Sequence, residues 1–118
     1  CYKHCCGYYD PLLKSLPFIG IDGMDGIDPT SGMTMKHTKE VIGLQLTLMG
    51  GISCLTLADG TPEQVYREAE LCIRDGMPGG RYVLGSACAV PRKTPFENLF
   101  AARRAAEDFG TYKAAVPE

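Results

Sequence analysis

Strand-like and helix-like segments alternate four times along the 118 residues, and no other feature of the chain limits its fold as much. Thr61-Pro62-Glu63-Gln64 opens a helix, with Thr as N-cap, Pro in the first turn and Gln three residues on to reach back to the cap amide. Thr94-Pro95-Phe96-Glu97 repeats that grammar and predicts a second helix start capped by Thr94. Between them Val65, Ala69, Cys72 and Ile73 share one helix face, Gly76 to Gly80 ends the helix, and Arg81 to Ser86 reads as a strand. Upstream, Leu44 to Met49 alternates with period two up to Gly50-Gly51 and predicts a strand. Met35 to Ile42 before it suits a short helix stopped by Gly43, and Met24 to Ile27 a short strand ending at Asp28-Pro29. Asp10-Pro11 predicts the start of a helix running to about Leu16, and Lys3 to Cys6 has the composition of a strand end.

Such alternation implies a parallel α/β sheet, either open and doubly wound or part of an eight-stranded barrel. His4, Cys6, Asp28, Gly50-Gly51 and Cys88 all fall at the C-terminal ends of predicted strands, the face on which barrels build their active sites. A complete barrel needs about 250 residues, so the expectation is the C-terminal part of a (β/α)8 TIM barrel, residues 1–118 forming one partial domain. Half a barrel cannot close, so the chain by itself is expected either to associate, as a homo-oligomer for example, or to leave an edge strand open.

His4 and Cys6 are soft metal ligands two residues apart. In an extended strand they point the same way while Cys5 faces the other side. With Cys88 they make three protein ligands, which leave a tetrahedral zinc ion one open position, as catalytic zinc sites do. Six cysteines in a short chain also suit a disulfide framework, yet the regular periodicity around Cys54 and Cys72 argues against a stapled, loop-rich scaffold. Cys72 reads as a core residue.

The net charge is −2 and the longest basic run is Arg103-Arg104, so no stripe exists to hold a phosphate backbone and nucleic acid is not an expected partner. No apolar run approaches the roughly 20 residues that span a bilayer, so no membrane association is expected and the cytoplasm is the expected compartment.

His4-Cys5-Cys6-Gly7, Gly26-Ile27-Asp28-Pro29, Met49-Gly50-Gly51-Ile52, Gly60 to Val65, Gly79 to Leu84, and Cys88-Ala89-Val90-Pro91 with Thr94 to Asn98 resemble, in order, the C-terminal part of the uroporphyrinogen decarboxylase superfamily. The resemblance implies a (β/α)8 barrel. Where the decarboxylases proper carry a histidine between glycines, this chain has Cys88. The pattern is similar to that of the zinc-dependent cobalamin methyltransferases of the methylcobalamin:coenzyme M type, with a His-x-Cys pair and a distant Cys as zinc ligands. It departs from them in Cys5, an extra thiol inside the pair. The resemblance implies zinc as cofactor, a methyl group carried as methylcobalamin on a separate corrinoid protein, and a small thiol as acceptor.

Asp28, Met49, Gly50 and Gly51 are the candidate substrate-binding residues. Asp28 equally suits a strand stop before Pro29, and the glycine pair a simple turn. His37 reads as a solvated residue on a polar helix face. Two other classes of function stay open at this point: a metal-free decarboxylase-like enzyme acting on a tetrapyrrole, and a non-catalytic fragment.

Overall fold

The computed structural model describes residues 1–113. Four strands lie in the order β1-β2-β3-β4: β1 Tyr2–His4, β2 Gly23–Ile27, β3 Thr47–Ile52 and β4 Tyr82–Ser86. All three pairings are parallel, with His4 opposite Asp25, Met24 opposite Leu48, and Gly50 opposite Leu84. Chain order equals spatial order, the topology of consecutive β/α units in a barrel wall. The barrel is not closed within this chain, so β1 and β4 are the two edges of the sheet.

A 3₁₀ helix, Asp10–Ile19, follows β1, and α1, Met35–Ile42, follows β2 after a single turn at Pro29–Ser31. Two helices, α2 (Cys54–Asp59) and α3 (Pro62–Gly76), connect β3 to β4, and α4 (Phe96–Phe109) follows β4. Leu13, Met24, Ile27, Met33, Ile42, Leu48, Ile52 and Val65 fill the core between the sheet and its helices. Among the described residues no helix is long and apolar enough to cross a membrane.

Thr61 caps α3 as expected: its hydroxyl accepts the Gln64 amide, and the Gln64 side chain accepts the Thr61 amide. Thr94 does not cap α4. The N-cap there is Pro95, which has no side-chain acceptor, and the Thr94 hydroxyl is buried without a hydrogen-bond partner. Buried Asn98 does the anchoring instead, its Nδ2 donating to the carbonyls of Leu57 and Gly60 at 2.9 Å each.

The third strand starts later than its alternation implied. The amides of Gln45 and Leu46 both bond back to the Ile42 carbonyl, so Leu44 to Leu46 complete the exit from α1 and β3 begins at Thr47. A strand of a parallel sheet is covered on both faces, which makes its sequence a continuous apolar run and blurs its boundaries. The helix after β1 starts at Asp10 as expected but winds as a 3₁₀ helix through Pro17, with Tyr9 in the cap position. Asp10 Oδ1 lies 2.6 Å from His37 Nε2, so the half-exposed His37 has a carboxylate partner rather than being only a solvated ring.

Candidate metal centre at the sheet mouth

The C-terminal ends of the strands form the mouth of the sheet. Cys6 lies two residues beyond the end of β1 and Cys88 two beyond the end of β4, with three inter-strand steps between them. On a flat sheet those steps amount to roughly 14 Å. The two sulfurs are 3.4 Å apart although 82 residues separate them in the chain, so both loops bend inward over the mouth. His4 Nε2 is 2.8 Å from Cys6 Sγ and 3.7 Å from Cys88 Sγ. All three ligating atoms fall within 4.8 Å of one another.

A tetrahedral zinc ion with Zn–S of about 2.3 Å and Zn–N of about 2.0–2.1 Å separates its ligands by roughly 3.8 Å (S···S) and 3.6 Å (N···S). The Cys6–Cys88 and His4–Cys88 separations of 3.4 and 3.7 Å come within about 0.4 Å of these edges; the His4–Cys6 pair, at 2.8 Å, falls about 0.8 Å short and has to open for an ion to enter. Two thiols and an imidazole are a soft, borderline donor set, which suits zinc and does not suit magnesium or calcium. The residues present fit the ion.

The site has a carboxylate that sequence reading did not single out. His4 Nδ1 is hydrogen-bonded to Asp25 Oδ1, and the parallel register sets the two residues side by side. Such a carboxylate fixes the ring so that the other nitrogen, Nε2, faces the thiols. Asp25 raises the pKa of His4 above its ordinary value, with the Cys88 thiolate adding to the effect. The two thiols lie in hydrogen-bond contact, which holds Cys88 below the usual thiol range, helped by the Ala89 amide, and pushes Cys6 above it.

Cys5 stays out of the cluster, its sulfur 3.8 Å from the Cys6 carbonyl and its side chain packed toward the core. Cys72 is buried beneath β3, and burial pushes its thiol up to about 12. None of the six cysteines is in a disulfide. Tyr9 is buried, its hydroxyl has no hydrogen-bond partner, and its ionisation is disfavoured by burial and by Cys5, Asp25 and Cys6.

A cavity of about 400 Å³ opens beside the cluster, lined by His4, Asp25, Met49, Ser86 and Cys88 among others. Met49 therefore lies at the mouth. Asp28 lies just past β2, where its carboxylate accepts from both the amide and the hydroxyl of Thr30 and caps the turn at Pro29–Ser31. Gly50 and Gly51 are inside β3 and do not end it. A Cβ on Gly51 would sit 2.8 Å from Cys72 Sγ, so this glycine allows α3 to approach the sheet; one on Gly50 would sit 3.0 Å from the Ser86 carbonyl of β4.

A parallel arc of β/α units that gathers an imidazole and two thiols over its mouth has the form of part of a barrel enzyme with a candidate metal centre. Residues 1–109 match the family described as uroporphyrinogen decarboxylase (URO-D), and the chain belongs to that family. It is 34% identical over 106 residues to a methylated-thiol–coenzyme M methyltransferase of Methanosarcina mazei, a match that covers 89% of this chain and 27% of that protein. It is 29% identical over 107 residues to the methylcobamide:CoM methyltransferase MtaA of Methanosarcina barkeri, covering 90% of this chain and 30% of the relative. The solved structure of a methyltransferase from Methanosarcina mazei superposes with a TM-score of 0.78 at 30% identity, over 93% of this chain and 31% of the other. The chain thus spans less than a third of the length of these relatives.

Proposed function

We infer that this chain carries the zinc-binding part of a methyltransferase that moves a methyl group between a corrinoid and a small thiol. One observation carries the reading: His4, Cys6 and Cys88, drawn from opposite ends of the sequence, place their ligating atoms within 4.8 Å of one another at the mouth of a parallel sheet. The relatives, methylated-thiol–coenzyme M and methylcobamide:CoM methyltransferases, support the same reaction class. By that likeness the methyl donor is methylcobalamin carried by a corrinoid protein, and the acceptor is a thiol such as coenzyme M.

His4, Cys6 and Cys88 would hold the ion. Zinc held by three ligands supplies the Lewis acidity that keeps a substrate thiol ionised near neutral pH. The chain's own residues do the rest. Asp25 presents the His4 lone pair at Nε2 by binding the proton on Nδ1. Cys88 is the sulfur already biased to the thiolate form, which a metal ligand must adopt. Met49 gives the mouth cavity an apolar wall at which a small thiol can lose its water, while Asp28, Gly50 and Gly51 act from outside the cavity lining, Asp28 by capping the turn after β2 and the glycines by close packing of β3.

Metal analysis of the purified protein tests the reading. Stoichiometric zinc is expected, lost in Cys88→Ala and retained in Cys5→Ala. Zinc binding that depends on Cys5 and survives loss of Cys88 would overturn the ligand assignment. Methyl transfer from methylcobalamin to coenzyme M by the full-length protein distinguishes this reaction from tetrapyrrole decarboxylation.

A further inference from the structure

The mouth thiols have a second chemistry that metal binding does not require. Cys6 Sγ and Cys88 Sγ lie 3.4 Å apart, in direct contact with each other. Both belong to loops just past the strand ends, outside the hydrogen-bonded ladder, so the backbone at each can adjust without breaking the sheet. Cys6 is exposed and Cys88 half-exposed, so a small oxidant reaches both. The other four thiols are placed differently: Cys5 and Cys54 donate to the carbonyls of Cys6 and Ala89, Cys72 is buried, and the exposed Cys1 precedes β1, at the opposite end of that strand from the mouth.

We propose that Cys6 and Cys88 are an oxidisable pair that closes to a reversible disulfide under peroxide, removing two of the three metal-ligating groups at once. The sulfurs move from 3.4 Å to the disulfide length of about 2.05 Å. One thiolate attacks a peroxide oxygen; an S–O bond forms, the O–O bond breaks, and hydroxide leaves as water after taking a proton. The second sulfur then attacks the sulfenic sulfur, forming the S–S bond and breaking the S–O bond, and a second water leaves. Two thiols lose two electrons and two protons in all, and one hydrogen peroxide becomes two waters. A dithiol reductant reverses the reaction by thiol–disulfide exchange. With both sulfurs engaged His4 is the sole remaining ligand, which cannot retain zinc, so oxidation switches the site off and reduction restores it.

The disulfide itself follows from the sulfur geometry; its effect on metal rests on the function proposed above. The full chain, reduced and metal-free, is treated with a small excess of hydrogen peroxide, alkylated, digested with trypsin and analysed by mass spectrometry. The expected product links the peptide containing Cys6 to the one containing Cys88, with loss of two hydrogens, and dithiothreitol reverses it. Because Cys5 shares a tryptic peptide with Cys6, Cys5→Ala is treated in parallel and is expected to keep the cross-link, while Cys6→Ser loses it. A second sample, loaded with zinc before peroxide, is expected to release the metal to a chromophoric chelator in step with cross-linking. Cross-links to Cys54 or Cys5 in place of Cys6–Cys88, or sulfinic acid at Cys6 and Cys88 without a cross-link, would overturn the proposal. A cross-link in a protein that binds no zinc would leave the oxidisable pair standing and remove the zinc reading; zinc binding without a cross-link would do the reverse.

Discussion

Gly26→Ala is expected to damage the metal centre more than its small size suggests. Gly26 has φ +86, and a Cβ there would lie 2.3 Å from the Cys5 carbonyl oxygen and 2.8 Å from its carbon. A backbone carbonyl cannot rotate away as a flexible side chain can, so relief to an ordinary contact of 3.4 Å requires the Cys5 peptide to move by about 1 Å. That peptide joins His4 to Cys6. A zinc site tolerates only about 0.2 Å of error in its ligand distances, so the shift is several times larger than the site can absorb. Left-handed backbone costs a residue with a Cβ roughly 1–2 kcal/mol, and overpacking about 1–3 kcal/mol more, for a total of about 2–5 kcal/mol. Gly20→Ala is the control. Gly20 has φ +83 but nothing within 4 Å of its Cβ position, so it carries only the backbone term of about 1–2 kcal/mol. Urea unfolding gives the stabilities, and competition with a chromophoric chelator gives the zinc affinities. Gly26→Ala is expected to weaken zinc binding by about 10–100-fold, the range seen when support behind a ligand is lost, and Gly20→Ala to leave it unchanged. Equal stability losses and equal zinc affinities in the two variants would refute the argument that Gly26 sets the position of the His4–Cys6 segment.

Asp25→Asn should lower the His4 pKa, seen by NMR titration of the ring, and weaken zinc binding about 10–100-fold. In the metal-free protein the His4–Asp25 pair contributes stability that is present below the unfolded histidine pKa of about 6.5 and lost as pH rises through the raised folded value, whereas zinc affinity should fall as pH drops through that same value; a stability profile of opposite slope would contradict the assignment. Thr61→Ala should cost about 1 kcal/mol in urea unfolding through loss of its cap, while Thr94→Val should be neutral or stabilising because the Thr94 hydroxyl is buried unpaired. Asn98→Ala should cost about 2–4 kcal/mol, since it leaves the Leu57 and Gly60 carbonyls without their donor and opens a small void.

Residue types and spacing carried much of the fold. Period and punctuation located β1, β2 and β4 and the existence of β3, whose bounds lie three residues later than expected, and Thr61 with Gln64 marked the start of α3 because both halves of the capping box lie within four residues of sequence. Features that depend on distant partners were not legible. Thr94 has the same local grammar as Thr61, but the inward turn of Asn98 toward Leu57 and Gly60 anchors that helix start without it. The six-residue helix α2, capped by Ser53, is too short to show a hydrophobic period. At the site, residue type and spacing suggested that His4, Cys6 and Cys88 lie together, but Cys6 is past the end of β1, so the repeat of a strand does not account for its placement. Asp25 left one faint sign, a lone carboxylate inside the apolar strand Met24 to Ile27; its role depends on the parallel register that sets it opposite His4.

The geometry of the mouth places the control of this site in its loops rather than in the curvature of the sheet. Strands β1 and β4 are not bonded to each other, so the ladder alone cannot fix the 3.4 Å between Cys6 and Cys88. Three backbone contacts take over where the ladder ends: the Cys5 amide reaches the Asp25 carbonyl, Gly26 lets the Cys5 peptide pass close above it, and the Ala87 amide donates to the Ile52 carbonyl at 2.7 Å. The first two set the His4–Cys6 segment on β2, and the third sets the Cys88 loop on β3. Since β2 and β3 are themselves paired, the two halves of the cluster are referenced to one central strand pair. The position of the ligands should therefore tolerate substitutions on the outer helices that leave β2 and β3 in place, and should be lost when Gly26 or the β2–β3 register is disturbed.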